Sequence, residues 1–137
     1  MTAERAPHSF TLRVYYEDTD FSGIVYHANY LRFLERGRTE FLRDLGINQA
    51  DLFSGVAGPP LGFAVTRMSL GFLMPARMDD VLRVETRRSK LGAASVRLEQ
   101  EIWRGADRLV EAEVTVAMLS QGRVVRMPAE LIDRLRA

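Results

Sequence analysis

Residues 17–30, EDTDFSGIVYHANY, contain three acids within four positions, followed by a glycine, a histidine and an asparagine. A positioned carboxylate can activate water or attack a carbonyl carbon, and the unpaired amides at a helix start can stabilise an oxyanion. The same residue types also suit a solvated loop that ends in a helix cap, which is the usual role of an Asp in front of a helix. This segment therefore has a catalytic and a structural interpretation.

The composition indicates a soluble globular protein. The chain has 137 residues, of which 47% are apolar and 27% charged, and we expect one domain over residues 1–137. A net charge of +1 gives no reason to expect nucleic-acid binding, and no apolar run approaches the ~20 residues of a membrane span. The absence of cysteine excludes disulfides and zinc–thiolate sites, and the first residues show no signal peptide. We expect a cytoplasmic location without membrane insertion.

The elements around the acidic segment follow from hydrophobic periodicity. Alternation predicts a strand over residues 8–16, with Tyr16 on its apolar face. An apolar stripe at helical spacing, which includes Tyr30, Phe33 and Leu34, predicts a helix over 30–45. Asn29 is its predicted cap and Gly46 its predicted stop. Gly37 falls inside this helix at a cost of about 1 kcal/mol relative to Ala, which predicts a close approach of the helix backbone to a sheet.

The second half of the chain has the period of strands. Four runs at 61–74, 80–91, 93–105 and 107–119 are separated by turn signals and predict an antiparallel meander. A short helical turn is expected within 48–60, a short strand at 123–126 and a terminal helix from Pro128. One strand, one long helix and then several strands indicate an α+β fold, in which a twisted sheet half-encloses the helix. Dimerisation would cover the open edge strand that such a sheet leaves.

The motif D-T-D-x-x-G-[IV]-V-Y-H-x-x-Y, followed by E-R-x-R-T-E, carries a family resemblance. The region 14–46 resembles the hotdog-fold acyl-CoA thioesterases of the 4-hydroxybenzoyl-CoA thioesterase family, in the YbgC-like branch associated with the Tol-Pal system. The later strands agree in order and length. The resemblance implies a hotdog fold, in which a five- to six-stranded antiparallel sheet wraps a long central helix. It also implies dimers that assemble into homotetramers, with active sites at the subunit interface.

The resemblance assigns the chemistry to the acidic segment. Asp20 matches the catalytic carboxylate, as nucleophile or general base, and we favour general base for an aliphatic acyl group. The backbone amide that polarises the thioester carbonyl falls on His27. A thiolate with a pKa near ~8.5 leaves without a strong general acid, so these two groups suffice. The His27 side chain could also orient Asp20 or contact substrate, whereas Glu17 and Asp18 are expected to support the loop.

Substrate contacts are predicted with less support from the motif. Gly23 would let the backbone turn close to the thioester, and Asn29 could contact substrate besides capping the helix. Tyr26, Tyr30 and Phe63 are candidates for the acyl pocket, although a core role explains each. Three basic residues could hold the phosphates of coenzyme A, or simply form a solvated strand face: Arg87, Arg88 and Lys90.

We therefore predict an acyl-CoA thioesterase that needs no cofactor beyond the coenzyme A of its substrate and no metal. The alternative is a non-catalytic module that binds acyl-CoA or acyl carrier protein. Retention of Asp20, Gly23 and the helix start together favours the enzyme. A hotdog dehydratase is a weaker option, because the central helix lacks the required pairing of His with Asp or Glu.

Overall fold

A six-stranded antiparallel sheet packs against a long helix in the computed structural model, which describes residues 6–55 and 58–136. The strands are β1 (His8–Arg13), β2 (Gly62–Phe72), β3 (Val81–Leu91), β4 (Ser95–Arg104), β5 (Asp107–Ser120) and β6 (Arg123–Val124). The helices are α1 (His27–Asp44), α2 (Gln49–Ser54) and α3 (Ala129–Arg136). None of these helices is long and apolar enough to span a membrane. The α+β class is confirmed.

The order of the main strands is β1-β3-β4-β5-β2, and β6 pairs with β5. The predicted meander is correct for β3, β4 and β5 but wrong for β2, which pairs with β5 instead of β3. The physical reason lies in β1, which pairs with β3 from His8↔Thr86 to Arg13↔Val81. With both sides of β3 occupied, the free edge of β5 is left to accept β2.

Strand β1 ends at Arg13, three residues earlier than predicted. The chain then turns into a 3-10 turn at Tyr16–Asp18, and Tyr16 is 81% exposed, so its placement on the buried face was wrong. The turn forms because the Asp18 carboxylate accepts a hydrogen bond from the amide of Tyr15 at 2.8 Å. This local bond competes with strand continuation.

Helix α1 lies against the inner face of the sheet through the predicted apolar stripe, including Tyr30, Phe33 and Leu34. The close approach at Gly37 is confirmed, because a Cβ atom there would lie 2.5 Å from Cγ1 of Val84 on β3. The predicted stop at Gly46 is also confirmed, since α1 ends at Asp44 and Gly46 adopts a φ of +81°.

A buried polar network joins the middle of α1 to the sheet. The Gln100 side chain on β4 donates to the Leu34 carbonyl at 3.0 Å and to the Thr86 hydroxyl at 2.9 Å. It also accepts a hydrogen bond from Arg38 at 3.1 Å. Both ends of the Gln100 amide therefore have partners, as a buried amide requires.

Candidate active site

Asp20 opens a tight hairpin turn that connects the 3-10 turn to α1. Its amide donates to the Ile24 carbonyl at 2.9 Å, and its carbonyl accepts from the Gly23 amide at 3.2 Å. A bridge between Thr19 and Val25 extends the hairpin. Gly23 has a φ of +82°, the left-handed conformation that a three-residue hairpin of this type requires. The turn predicted at Gly23 is present, and its closeness to the thioester stays a prediction.

The carboxylate of Asp20 is exposed, and its two oxygens differ in their hydrogen bonding. Its Oδ1 accepts hydrogen bonds from the Ser22 amide at 2.8 Å and from the Ser22 hydroxyl at 2.6 Å. Among the described residues no side chain donates to Oδ2, and the backbone amides of Ile24 and Asp20 make only smaller contributions at the carboxylate. The hydrogen bonds from Ser22 lower the pKa of Asp20 below its ordinary value, so the group is ionised at neutral pH. Asp20 is thus a turn residue that also presents a free, charged oxygen.

Helix α1 begins at His27, three residues before the predicted start, with Tyr26 in the N-cap position. Tyr26 makes no side-chain cap bond, and in the described part of the chain the amides of His27 and Ala28 have no acceptor. The start of α1 therefore leaves N–H donors and the positive end of the helix dipole exposed.

The predicted cap at Asn29 is wrong, because Asn29 already lies in the first turn of α1. Its side-chain amide instead donates to the Asp18 carbonyl at 3.0 Å. The Tyr26 amide donates to the same carbonyl at 2.9 Å, and Asp18 is 9% exposed. Asp18 is thus the structural anchor that holds the Asp20 hairpin beside the helix start, in line with its expected supporting role.

Aromatic rings surround the start of α1. The exposed His27 ring contacts Tyr26, with 4.6 Å between centroids, and Phe72 of β2 at 6.4 Å. In the described chain the His27 ring makes no hydrogen bond or ion pair, so it does not orient Asp20. The contact with Phe72 was not foreseen, because no local signal links residues so far apart in sequence.

Tyr30 belongs to the core at 4% exposure, and its hydroxyl accepts from the Ala76 amide at 2.9 Å. Burial raises its pKa above the ordinary value. The core explanation therefore accounts for Tyr30, whereas Tyr26 remains 48% exposed at the helix start.

Comparison with known proteins identifies the family. Residues 22–111 match the model of the thioesterase superfamily, which is well over half of the chain. The chain belongs to this superfamily. It is 42% identical to the acyl-CoA thioesterase YbgC of Haemophilus influenzae over 125 residues, which is 90% of each chain. It is 41% identical to the acyl-CoA thioester hydrolase YbgC of an Escherichia coli strain over 77% of this chain and 76% of that one.

A solved structure, the probable thioesterase of Bartonella henselae, is also similar to this thioesterase. Its TM-score is 0.87 at 49% identity, covering 90% of this chain and all of that one. The predicted resemblance, the hotdog fold and the prediction of an enzyme with thioesterase activity are confirmed.

The three basic residues predicted to hold phosphates do not form one cluster in this thioesterase. A register shift between Arg88 and Lys90 separates their side chains. Arg88 pairs with the buried Leu98 and shares its helix-facing side, whereas Arg87 pairs with Glu99 and Lys90 with Arg97 on the outer side. At the rise of a strand they lie about 20–30 Å from Val81, the first residue of β3. Their role in holding the phosphates of coenzyme A stays a prediction.

A cavity of about 240 Å³ lies between α1 and the edge of the sheet. Phe63 lines it, in agreement with an acyl-pocket role, whereas Tyr26 and Tyr30 do not. At 1.5 Å per helical residue, its helix-side lining from Glu35 to Leu42 lies roughly 12–22 Å from His27. Its remaining walls are Arg38, Thr39, Gln49, Val65, Val96, Leu98 and Val116.

Proposed function

We propose that this thioesterase hydrolyses acyl-CoA to the free acid and CoA, with no added cofactor or metal. Asp20 acts as general base or nucleophile, and the His27 amide polarises the thioester carbonyl. The observation that carries the proposal is the free, ionised Oδ2 of Asp20 on a hairpin that Asp18 joins to an uncapped helix start. The names of the YbgC relatives support acyl-CoA as the substrate.

Two routes are open to the Asp20 carboxylate. As general base it takes a proton from a water molecule while that water attacks the carbonyl carbon. The tetrahedral oxyanion is stabilised by the His27 amide, the C–S bond breaks, and the proton passes to the departing thiolate. As nucleophile it forms a mixed anhydride and releases the thiolate, and water then hydrolyses the anhydride. Single-turnover hydrolysis in ¹⁸O-water tests for the second route, since label enters Asp20 only when water attacks the Asp20 carbonyl of the anhydride.

Release of free thiol from short, long and aromatic acyl-CoAs tests the function. We expect turnover of at least one class, and the position of the 240 Å³ cavity makes long chains an essential part of the panel. Asp20→Asn should lower kcat by roughly 100- to 10,000-fold, because the variant loses the general base or nucleophile.

Glu17→Gln is the matched control, since it removes a charge three residues away in the same loop. It should retain most of the activity. Two results would contradict the role of Asp20. One is an Asp20→Asn variant with unchanged kcat, and the other is a Glu17→Gln variant whose kcat falls as far as that expected for Asp20→Asn. Absence of turnover on every class of thioester would refute the proposed acyl-CoA hydrolysis.

One observation favours the alternative of a binding module. The hydrogen bonds from Ser22 give Asp20 a structural reason to be present, which a protein without catalysis would share. A module would bind acyl-CoA or acyl carrier protein without releasing thiol. The same panel, extended to acyl carrier protein thioesters and combined with a binding measurement, distinguishes the two.

We also propose a homodimer that forms through β2 and assembles further into a homotetramer. In the described residues β2 pairs with β5 along one edge only, although it is 11 residues long. Val65 and Phe72 face the helix side of the sheet yet are 46% and 52% exposed, so an apolar wall remains uncovered. Sedimentation equilibrium tests the assembly, and a monomer would refute it. Association with the Tol-Pal system remains a prediction from the resemblance, and a cytoplasmic location remains a prediction from the composition.

A further inference from the structure

Ser22 binds one oxygen of the Asp20 carboxylate with both of its donors. We propose that Ser22 is a positioning residue, which occupies Oδ1 through its amide and hydroxyl and so leaves Oδ2 as the oxygen that reacts. The proposal rests on the proposed function of Asp20 and assigns a role to a side chain that the motif leaves undefined.

Hydrogen bonds fix both the backbone of Asp20 and one oxygen of its carboxylate. The Asp20 backbone is fixed by its hydrogen bonds to Ile24 and Gly23. The Ser22 amide at 2.8 Å and hydroxyl at 2.6 Å then fix Oδ1. Hydrogen bonds to an ionised acceptor are shorter and stronger than neutral ones, and the 2.6 Å distance is typical of such a bond. Rotation that would exchange Oδ1 and Oδ2 must break both contacts.

The same hydrogen bonds stabilise the ionised form of the Asp20 carboxylate. Donors to the ionised form stabilise it, and the Ser22 hydroxyl is the largest cause of the lowered pKa of Asp20, followed by the Ser22 amide. Charged groups on the adjoining segments are not among the causes. These groups are Glu17 and Asp18 on the 3-10 turn, His27 on α1, and Arg77, Asp79 and Asp80 before β3.

The test compares Ser22→Ala with Ser22→Thr and Thr19→Val. Ser22→Ala removes the hydroxyl and keeps the amide. Ser22→Thr restores a hydroxyl at the same position. Thr19→Val removes a neighbouring loop hydroxyl, which donates to the Tyr16 carbonyl at 2.7 Å and makes no bond to Asp20.

Two measurements are made on each variant: the pH profile of kcat/KM and a ¹³C NMR titration of the Asp20 carboxyl group. In Ser22→Ala the pKa of Asp20 should rise, so the acidic limb of the profile should move to higher pH. The kcat should fall by roughly 3- to 10-fold with KM unchanged, as for loss of one hydrogen bond to a reacting group. Ser22→Thr should restore both, and Thr19→Val should keep the wild-type acidic limb.

An unmoved acidic limb in Ser22→Ala would overturn the role of Ser22. A shift of equal size in Thr19→Val would do the same, because it would show that any loosening of the loop has this effect. Wild-type protein without turnover would instead overturn the proposed function, and the NMR titration keeps that outcome separate from a failure of the Ser22 proposal.

Discussion

Gly37 is the point at which the helix and the sheet are closest, and Gly37→Ala tests whether that approach matters. A Cβ at this position would lie 2.5 Å from Cγ1 and 3.2 Å from Cβ of Val84, and 3.4 Å from Nε2 of Gln100. Val84 is 0% exposed and β-branched, so its side chain cannot swing into solvent. The helix backbone must therefore move away from the sheet to admit a single methyl group.

Two opposing effects set the magnitude. Overpacking of a filled core costs about 1–3 kcal/mol. Replacing Gly by Ala inside a helix returns up to about 1 kcal/mol. Because the contact is well below van der Waals distance on a fully buried side chain, we expect a net loss of about 1–2 kcal/mol in the free energy of unfolding. For a chain of this size that lowers Tm by roughly 3–8 °C.

Urea and thermal unfolding, followed by circular dichroism at one fixed protein concentration, measure the effect. The matched control is Gly62→Ala, because a Cβ at Gly62 meets nothing within 4 Å. A double-mutant cycle with Val84→Ala then identifies the contact. Removal of the Val84 methyl groups makes room for the new one, so the two changes together should cost at least 1 kcal/mol less than their sum. A Gly37→Ala protein as stable as wild type, or additive behaviour in the cycle, would refute the close approach.

Two further predictions concern Tyr30 and the β2 edge. Burial raises the pKa of Tyr30 above its ordinary value of about 10, so the neutral phenol stabilises the fold below pH ~10 and this contribution is lost as the pH rises through the folded-state pKa. Tyr30→Phe should cost about 1–3 kcal/mol by leaving the Ala76 amide without an acceptor, and urea titrations at pH 8 and pH 10.5 should show a smaller alkaline loss than in wild type. Val65→Lys should dissociate the proposed dimer in sedimentation equilibrium, whereas Val81→Lys, at a similarly exposed valine on β3, should not; equal behaviour of the two would contradict assembly through β2.

Sequence patterns predicted the features that depend on neighbours in the chain. The apolar stripe of α1, the strand alternation in β4 and β5, and the stop at Gly46 each follow from spacing within about ten residues. Gly37 was informative because glycine has a measurable cost inside a helix, so its presence required a compensating contact. The structure supplies that contact at Val84.

Features that depend on distant partners were missed or misplaced. The position of β2 was wrong because strand order is decided by which edges remain open, and β1 had already taken the free edge of β3. The contact of Phe72 with His27 and the network around Gln100 leave no local pattern. Asn29 shows the limit of cap rules, because an Asn two residues into a helix can bond a preceding loop as readily as an Asn at its cap.

The structure also removes the opposition between the two interpretations of Asp20. A turn residue and a catalytic carboxylate compete only if both roles need the same atoms. Here the turn uses Oδ1 and the backbone, while the proposed reaction needs one unpaired oxygen, which Oδ2 would supply. The uncapped start of α1 has a similar explanation, because it too leaves a group unpaired that the proposed reaction would use. A side-chain cap would stabilise the helix by about 0.5–2 kcal/mol, but it would place an acceptor at the helix start, where the proposed oxyanion binds. Asn29, which the sequence predicted as the cap, binds Asp18 instead, and the helix start stays uncapped. The contacts that stabilise the hairpin therefore leave the proposed reactive oxygen unpaired. For this reason the Ser22 variants should change the pH profile and not merely the stability.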